Sequence, residues 1–223
     1  MDKVLDNYFN LAVLAQYYLP ILGGFWVTVR VALSVIVLGI AAGLLLAVLR
    51  CLQWKALNVA IALHVDLFRT VPQLVVIVFV YFGLPYADII VSPFFATVIG
   101  LGAVLSAFAT EIFWAAIQTT PRGQWDAAKA LGLGFGGTLF LVILPQAVRL
   151  AIPLLANRAI SITKGTALGT AVSLPEILGQ AQSAMAIAAN PSPLTLAAAL
   201  YLVFFLPLVA ASRWLESRQS WVR

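Results

Sequence analysis

Five stretches of this chain, at about 20–49, 60–83, 94–117, 140–164 and 194–212, run nearly free of charge between clusters of Pro, Gly and charged residues. Each approaches the roughly 20 apolar residues with which a helix crosses a hydrocarbon core, and the first is long enough to cross at a tilt. In lipid only helices and closed barrels satisfy their own backbone groups. The alternating ten-residue pattern of barrel strands is absent, so the fold class is expected to be all-α, with five transmembrane helices. Composition agrees: 63% of the 223 residues are hydrophobic and 9% charged, whereas a soluble domain has about 25% charged residues.

The sparse charges are distributed unevenly. Arg50 and Lys55 follow the first stretch, Arg122 and Lys129 the third, and Arg213, Arg218 and Arg223 the fifth. The opposite flanks, 84–93 and 166–193, hold Asp88 and Glu176 and neither Lys nor Arg. The positive-inside rule therefore places the N-terminus outside and the C-terminus in the cytoplasm. The opening MDKVLDNYFN lacks the basic region and small-residue cleavage site of a secretory signal, and is expected to stay on the mature protein. The net charge of +5 is mostly this topology signal. With no clustered basic face, nucleic acid is not an expected partner. Cys51 and His64, single residues of their type, make neither a disulfide nor a multi-ligand zinc site and read as packing residues; no metal is expected. No internal repeat or linker divides residues 1–223, which read as a single transmembrane domain.

One segment breaks the pattern. Residues 122–150, RGQWDAAKALGLGFGGTLFLVILPQAVRL, put Arg, Gln, Asp, Lys and a run of glycines between two apolar spans, on the cytoplasmic side of this topology. QWDAAKAL favours a short helix, with an acid near its start and Lys129 toward its end. Gly132, Gly134, Gly136 and Gly137 are expected to stop that helix, and Pro145 to break or kink the one that follows. Most connections are only about 4–6 residues long. A structured excursion of this length suggests docking to another protein.

DAAKALGLGFGGTLFLVILPQA resembles the EAA loop of the permease subunits of bacterial ATP-binding-cassette importers, through Asp126, Ala127, Ala128, Gly132 and the Ile143-Leu144-Pro145 triplet. Asp126 stands where that family usually has Glu. Further segments, VDLFRTVPQL (65–74), TEIFWAAIQTTPRGQWDAA (110–128), LPQAVRLAIPLLANRAISITKGTAL (144–168) and LPEIL (174–178), are similar to the polar amino acid permeases of this class over roughly residues 20–185. Trp114 departs from the Arg common there.

The resemblance implies a type I importer permease fold in the bacterial inner membrane. It also implies a permease pair, identical or homologous, working with two ATPase subunits and an extracytoplasmic amino-acid-binding protein. The 120–145 loop would couple to the ATPases through Asp126, Ala127, Ala128, Gly132, Leu144 and Pro145. Physically, Ala127 and Ala128 on the helix surface permit close approach, Gly132 supplies a turn without a Cβ, and Asp126 can pair with a base. The chain has no GxxxxGK[ST] loop, so it is expected to be no enzyme and to carry no cofactor of its own; ATP and Mg would bind the partner ATPase. No strand is expected before GLGFGG at 132–137, which argues against a dinucleotide loop.

Charges within the spans are functional candidates. Asp66 and Arg69, at i and i+3, match the family pattern V[DE]xFRxxP and read as a structural pair. Glu111 is expected to brace the loop through Arg122 or Arg149. Arg30 is open to two roles, a snorkelling anchor or a ligand. Asn157, Ser161 and Lys164, at i, i+4 and i+7 with Arg158 beside them, form a polar stripe ill suited to lipid and are read, with Arg30, as lining the substrate path. Arg158 has Leu154, Leu155, Ser161 and Ile162 at its i±3 and i±4 positions, hence no acid on its own helix. A substrate carboxylate would satisfy it, which favours acidic or neutral polar amino acids over basic ones; a basic or opine-like substrate for the same importer class is the alternative. A secondary transporter would show repeated halves, which five spans do not give.

Overall fold

In a computed structural model, residues 6–219 are described, with side chains described through Ser217. Arg223 and the side chain of Arg218, both counted in the topology argument, lie outside these, as do Met1 to Leu5. The elements are α1 (Leu11–Arg50), α2 (Lys55–Thr70), α3 (Gln73–Gly83), α4 (Pro93–Thr119), α5 (Arg122–Ala130), α6 (Leu144–Thr163), α7 (Ile177–Ala188) and α8 (Ser192–Gln219). There is no strand among the described residues.

Four helical segments are long and apolar enough to cross a membrane: Asp6–Arg50, Pro93–Thr119, Phe135–Val172 and Ser192–Ser217. The expected span at 60–83 is instead a bent pair, α2 and the segment from α3 through Ala87, turned by 108°. Val71 and Pro72 cause the break. Proline disfavours helical geometry in the residue before it and brings no amide hydrogen to the ladder; Val71 accordingly takes ψ 132° and Pro72 ψ 136°. The two short helices pass the length and apolarity test together, so the expected second span is present as one broken span, and the count is four, or five with this pair. The first span also starts earlier than expected, capped by the Asn10 side chain, which accepts from the amides of Ala12 and Val13.

α4 is the centre of the bundle. Within its apolar window 61% of residues are buried, against 33% for the first span and 11% for the last. α1 crosses it on small residues, with Gly39 against Leu105 and Gly43 against Ala109 and the Ser106 carbonyl. Ile77, Leu101, Leu105 and Ile162 fill one core region; Phe113, Leu139, Ile143 and Leu155 fill another, nearer α5. α8 meets the bundle on a narrow side, leaving Leu202, Val203 and Leu206 exposed. At the end opposite α5, Ser192 joins the N-terminal segment to α8: its hydroxyl accepts from the Asn10 amide at 2.9 Å and donates to the Asn7 carbonyl at 3.2 Å.

α6 continues a helix that begins at Phe135 and passes through π-type turns over Thr138–Ile143. Widening to i→i+5 bonds accommodates Pro145, whose missing amide and ring would disturb a regular α-ladder. The expected break at Pro145 is therefore a local change of helical pitch. Beyond Thr163 the helix tightens into a 3₁₀ segment, Lys164–Val172. There Gly165 leaves room for the Gln73 side-chain oxygen, which occupies the place a Cβ would take.

Candidate functional site

α5 forms as expected and ends by the hydrogen bonds of a Schellman motif. Leu133 N–H donates to the Ala128 carbonyl at 3.1 Å and Gly132 N–H to the Lys129 carbonyl at 2.9 Å, with Gly132 at φ +79°. Gly132 alone supplies the left-handed residue; Gly136 and Gly137 belong to the next helix rather than to the stop. Asp126 and Ala127 are exposed, while Ala128 is only 2% exposed. The expectation that both alanines lie on the surface is corrected: Ala127 faces out and Ala128 packs inward, since successive helical residues point about 100° apart. Trp125 stacks on Phe135 with centroids 6.4 Å apart, and Gln146 Nε2 donates to Gln124 Oε1 at 3.2 Å, tying α5 to α6. Leu144 is half-buried and Pro145 exposed beside this contact. Leu131, 83% exposed, is an apolar side chain at the tip of the loop.

The charges of the core pair differently from expectation. Arg50 Nη1 lies 2.7 Å from Glu111 Oε1, and Arg69 Nη1 3.8 Å from Glu111 Oε2. Asp66 and Arg69 do not form an ion pair among the described residues; Arg69 turns toward α4. Glu111 braces the end of α1 rather than the α5 loop through Arg122. These bonds span 61 positions for Arg50 and Glu111, so no local periodicity announces them. Arg158 stands over the Phe108 ring at 4.1 Å, with Arg69 at 5.4 Å from the same ring. It has no carboxylate partner among the described residues.

Asn157, Ser161 and Lys164 do come together. They line an open cleft of about 380 Å³ between α6 and α8, facing Ser212, Arg213 and Glu216. Lys164 also lines a second, mostly apolar cleft of about 520 Å³ with Tyr201, Phe205 and Leu206, and its Nζ lies 5.9 Å from the Phe205 ring. The two clefts share Lys164 and Val209, so Lys164 marks the change from polar to apolar lining. Arg158 and Arg30 lie outside both. Arg30 lines a separate cleft with Ser92, Phe94 and Leu174, its Nε donating to the Trp26 carbonyl at 3.3 Å. Ser212, Arg213 and Glu216 were not singled out from sequence, because they sit at the end of an apolar span where charge reads as topology.

Comparison with known proteins bears on this geometry. Residues 36–221 match the family described as the binding-protein-dependent transport system inner membrane component. The chain belongs to that family. As an inner membrane component, it is similar to the probable glutamine ABC transporter permease GlnP of Bacillus subtilis strain 168, at 35% identity over 88% of this chain and 92% of the relative. It is 33% identical to the L-cystine permease TcyB of the same organism over 75% of this chain and 72% of that one, and 28% identical to the arginine permease ArtQ of Escherichia coli K12 over 85% and 90%. Among solved structures, an amino acid ABC transporter with histidines superposes with a TM-score of 0.82, 26% identity and coverage of 92% of this chain and 96% of that one. The MetNI methionine transporter, at 18% identity over 88% of this chain and 95% of that one, shares the fold with a TM-score of 0.72. The inner membrane component thus has the type I importer permease fold.

Proposed function

We propose that this chain is the translocation subunit of an ATP-driven importer of acidic or neutral polar amino acids. The similar proteins bear glutamine, cystine and arginine names, which support amino acids as a class and leave the side-chain charge open. The cleft between α6 and α8 is the observation that favours a carboxylate-bearing solute. Lys164 and Arg213 set two cations against the one acid Glu216, on a wall completed by the Asn157 and Ser161 side chains. A cation in low-dielectric surroundings needs a counter-charge. An amino acid brings an α-carboxylate, and an acidic one brings a second. Arg158, stacked on Phe108, and Arg30, in its own cleft, are assigned supporting roles at the margins of the path.

In this reading α5 docks on the ATPase subunits, Asp126, Ala127 and Leu131 forming the contact with Gly132 shaping the turn. Leu144 and Pro145 carry the movement into α6, whose cleft face holds Asn157, Ser161 and Lys164. A second permease subunit completes the path, and an extracytoplasmic binding protein delivers solute at the opposite end. ATP and Mg belong to the partner ATPase.

Lys164→Gln tests the path. It removes the charge shared by the two clefts and keeps most of the side-chain length. The assembled complex should then lose about tenfold or more in uptake of glutamate, the scale of one charge-assisted hydrogen bond. Parental uptake by an assembled Lys164→Gln complex would remove the cleft from the path.

Orientation has a direct test. Burial pushes the Cys51 thiol above its ordinary range, leaving little thiolate to react. New cysteines at the exposed positions Ser92 and Gly123 can therefore be labelled against a quiet background. An impermeant thiol reagent applied from outside intact cells should modify Ser92→Cys and spare Gly123→Cys. The reverse would put α5 outside and exclude docking to a cytoplasmic ATPase.

A further inference from the structure

Glu176 is fully buried, yet it lies outside the polar cleft and has no cation paired with it among the described residues. Its charge is met by hydrogen-bond donors from three elements. Oε1 accepts from the Gly179 amide of α7 at 2.7 Å and, at 3.0 Å, shares the one proton of the Thr170 hydroxyl of the 3₁₀ segment with the Ala167 carbonyl at 2.8 Å; Oε2 accepts from the Tyr201 hydroxyl of α8 at 2.5 Å. The backbone at this point is held against α1 as well. Ile177 N–H donates to Thr28 Oγ1 at 3.3 Å, and a Cβ on Gly24 would come within 2.8 Å of the Glu176 carbonyl. α1 and α7 are thereby fixed, whereas α8 joins this carboxylate through one phenol.

That phenol belongs to a ring of the path. Tyr201 lines the apolar cleft with Lys164 and stacks on Phe205 with centroids 6.2 Å apart. The Glu176–Tyr201 bond ties α8 to α7 and the 3₁₀ segment beside this cleft, and Lys164 and Val209 join the cleft to the polar one toward Arg213 and Glu216. We propose that the Glu176–Tyr201 hydrogen bond is a latch that holds the cleft closed at the end away from α5, and that it breaks when the path opens there to receive solute. Glu176 is then a positioning residue acting through Tyr201. The three-donor arrangement suits a latch: a buried carboxylate deprived of one donor is left under-satisfied, so the closed arrangement reforms once solute has passed. This inference rests on the α6–α8 cleft being the path.

Tyr201→Phe removes the hydroxyl and keeps the ring. It is tested in the complete complex with its ATPase and binding protein, carrying Ala198→Cys as a reporter in the apolar cleft. Without nucleotide, labelling of the reporter by an impermeant thiol reagent from the Ser92 side should rise roughly tenfold, the scale of one charge-assisted hydrogen bond. ATP hydrolysis in the absence of binding protein should rise with it. Glu176→Gln, which keeps one oxygen to accept from the Gly179 amide and turns an NH2 toward the Tyr201 oxygen as donor, retains a neutral bond to α8 and should show a smaller rise in both. Parental labelling and hydrolysis in assembled Tyr201→Phe complexes would overturn the latch, as would a drop in melting temperature with both readouts unchanged, which marks a mere brace. If Ala198→Cys in the Tyr201 parent is labelled identically with and without trapped nucleotide, the path reading itself fails, and the latch with it.

Discussion

Gly132→Asp is expected to leave the permease inserted and folded while reducing uptake by more than about tenfold. The residue sits at φ +79° at the end of α5, with no atom within 4 Å of where a Cβ would lie. Asp tolerates this left-handed geometry better than most residues, so backbone strain adds only about 1–2 kcal/mol. The larger effect is a new charge on the proposed docking face, where an unpaired buried charge costs roughly 2–5 kcal/mol. Gly132→Ala separates the two contributions, since it carries the strain without the charge. Copurification of the ATPase and labelled-solute uptake measure the outcome; normal values of both for Gly132→Asp would exclude the turn from the contact.

Gly43→Leu should have a large structural effect. A Cβ at Gly43 would run into the Ala109 side chain, and lies 2.9 Å from the Ser106 carbonyl and 3.0 Å from the Thr110 amide. Two of these neighbours are backbone of the central helix and do not swing aside. Overpacking costs about 1–3 kcal/mol where side chains adjust; a contact on backbone should exceed that and force α1 from α4. The expected result is loss of monodisperse protein in detergent. Gly102→Ala is the control, because nothing lies within 4 Å of its Cβ position. Removing a helical glycine there should be neutral or raise stability by about 0.5–1 kcal/mol. Equal behaviour of the two variants in a thermal-melt assay would contradict the packing described for α1 and α4.

Much of the architecture was legible because lipid leaves so little choice. Spans one, three, four and five followed from hydropathy, and α5 from QWDAAKAL and Gly132. The second span was legible as apolar length but its bend was not, because apolar content does not sense direction; Pro72 marks the turn, and an 11-residue, more apolar helix resumes at once. Side-chain pairing was the least legible. The sequence-local pair Asp66–Arg69 yielded to Arg69 and Glu111, brought together by helix crossing. The i, i+4, i+7 stripe correctly grouped Asn157, Ser161 and Lys164, since one helix face is a local property. Arg158, read beside that stripe, lies one position round the helix from Asn157, outside both clefts and over Phe108. Nothing local pointed to Glu176, an acid in a loop by sequence and a fully buried junction in the structure.

Uptake by the reconstituted complex tests the central claim most directly. The permease, its ATPase and its binding protein would be placed in liposomes loaded with ATP, and labelled glutamate, glutamine, arginine and lysine offered outside. The proposed path predicts uptake that requires both ATP and binding protein, with glutamate or glutamine preferred over the two cations, and loss of that uptake in Lys164→Gln. Uptake independent of ATP, or a preference for arginine or lysine that Lys164→Gln leaves intact, would contradict it.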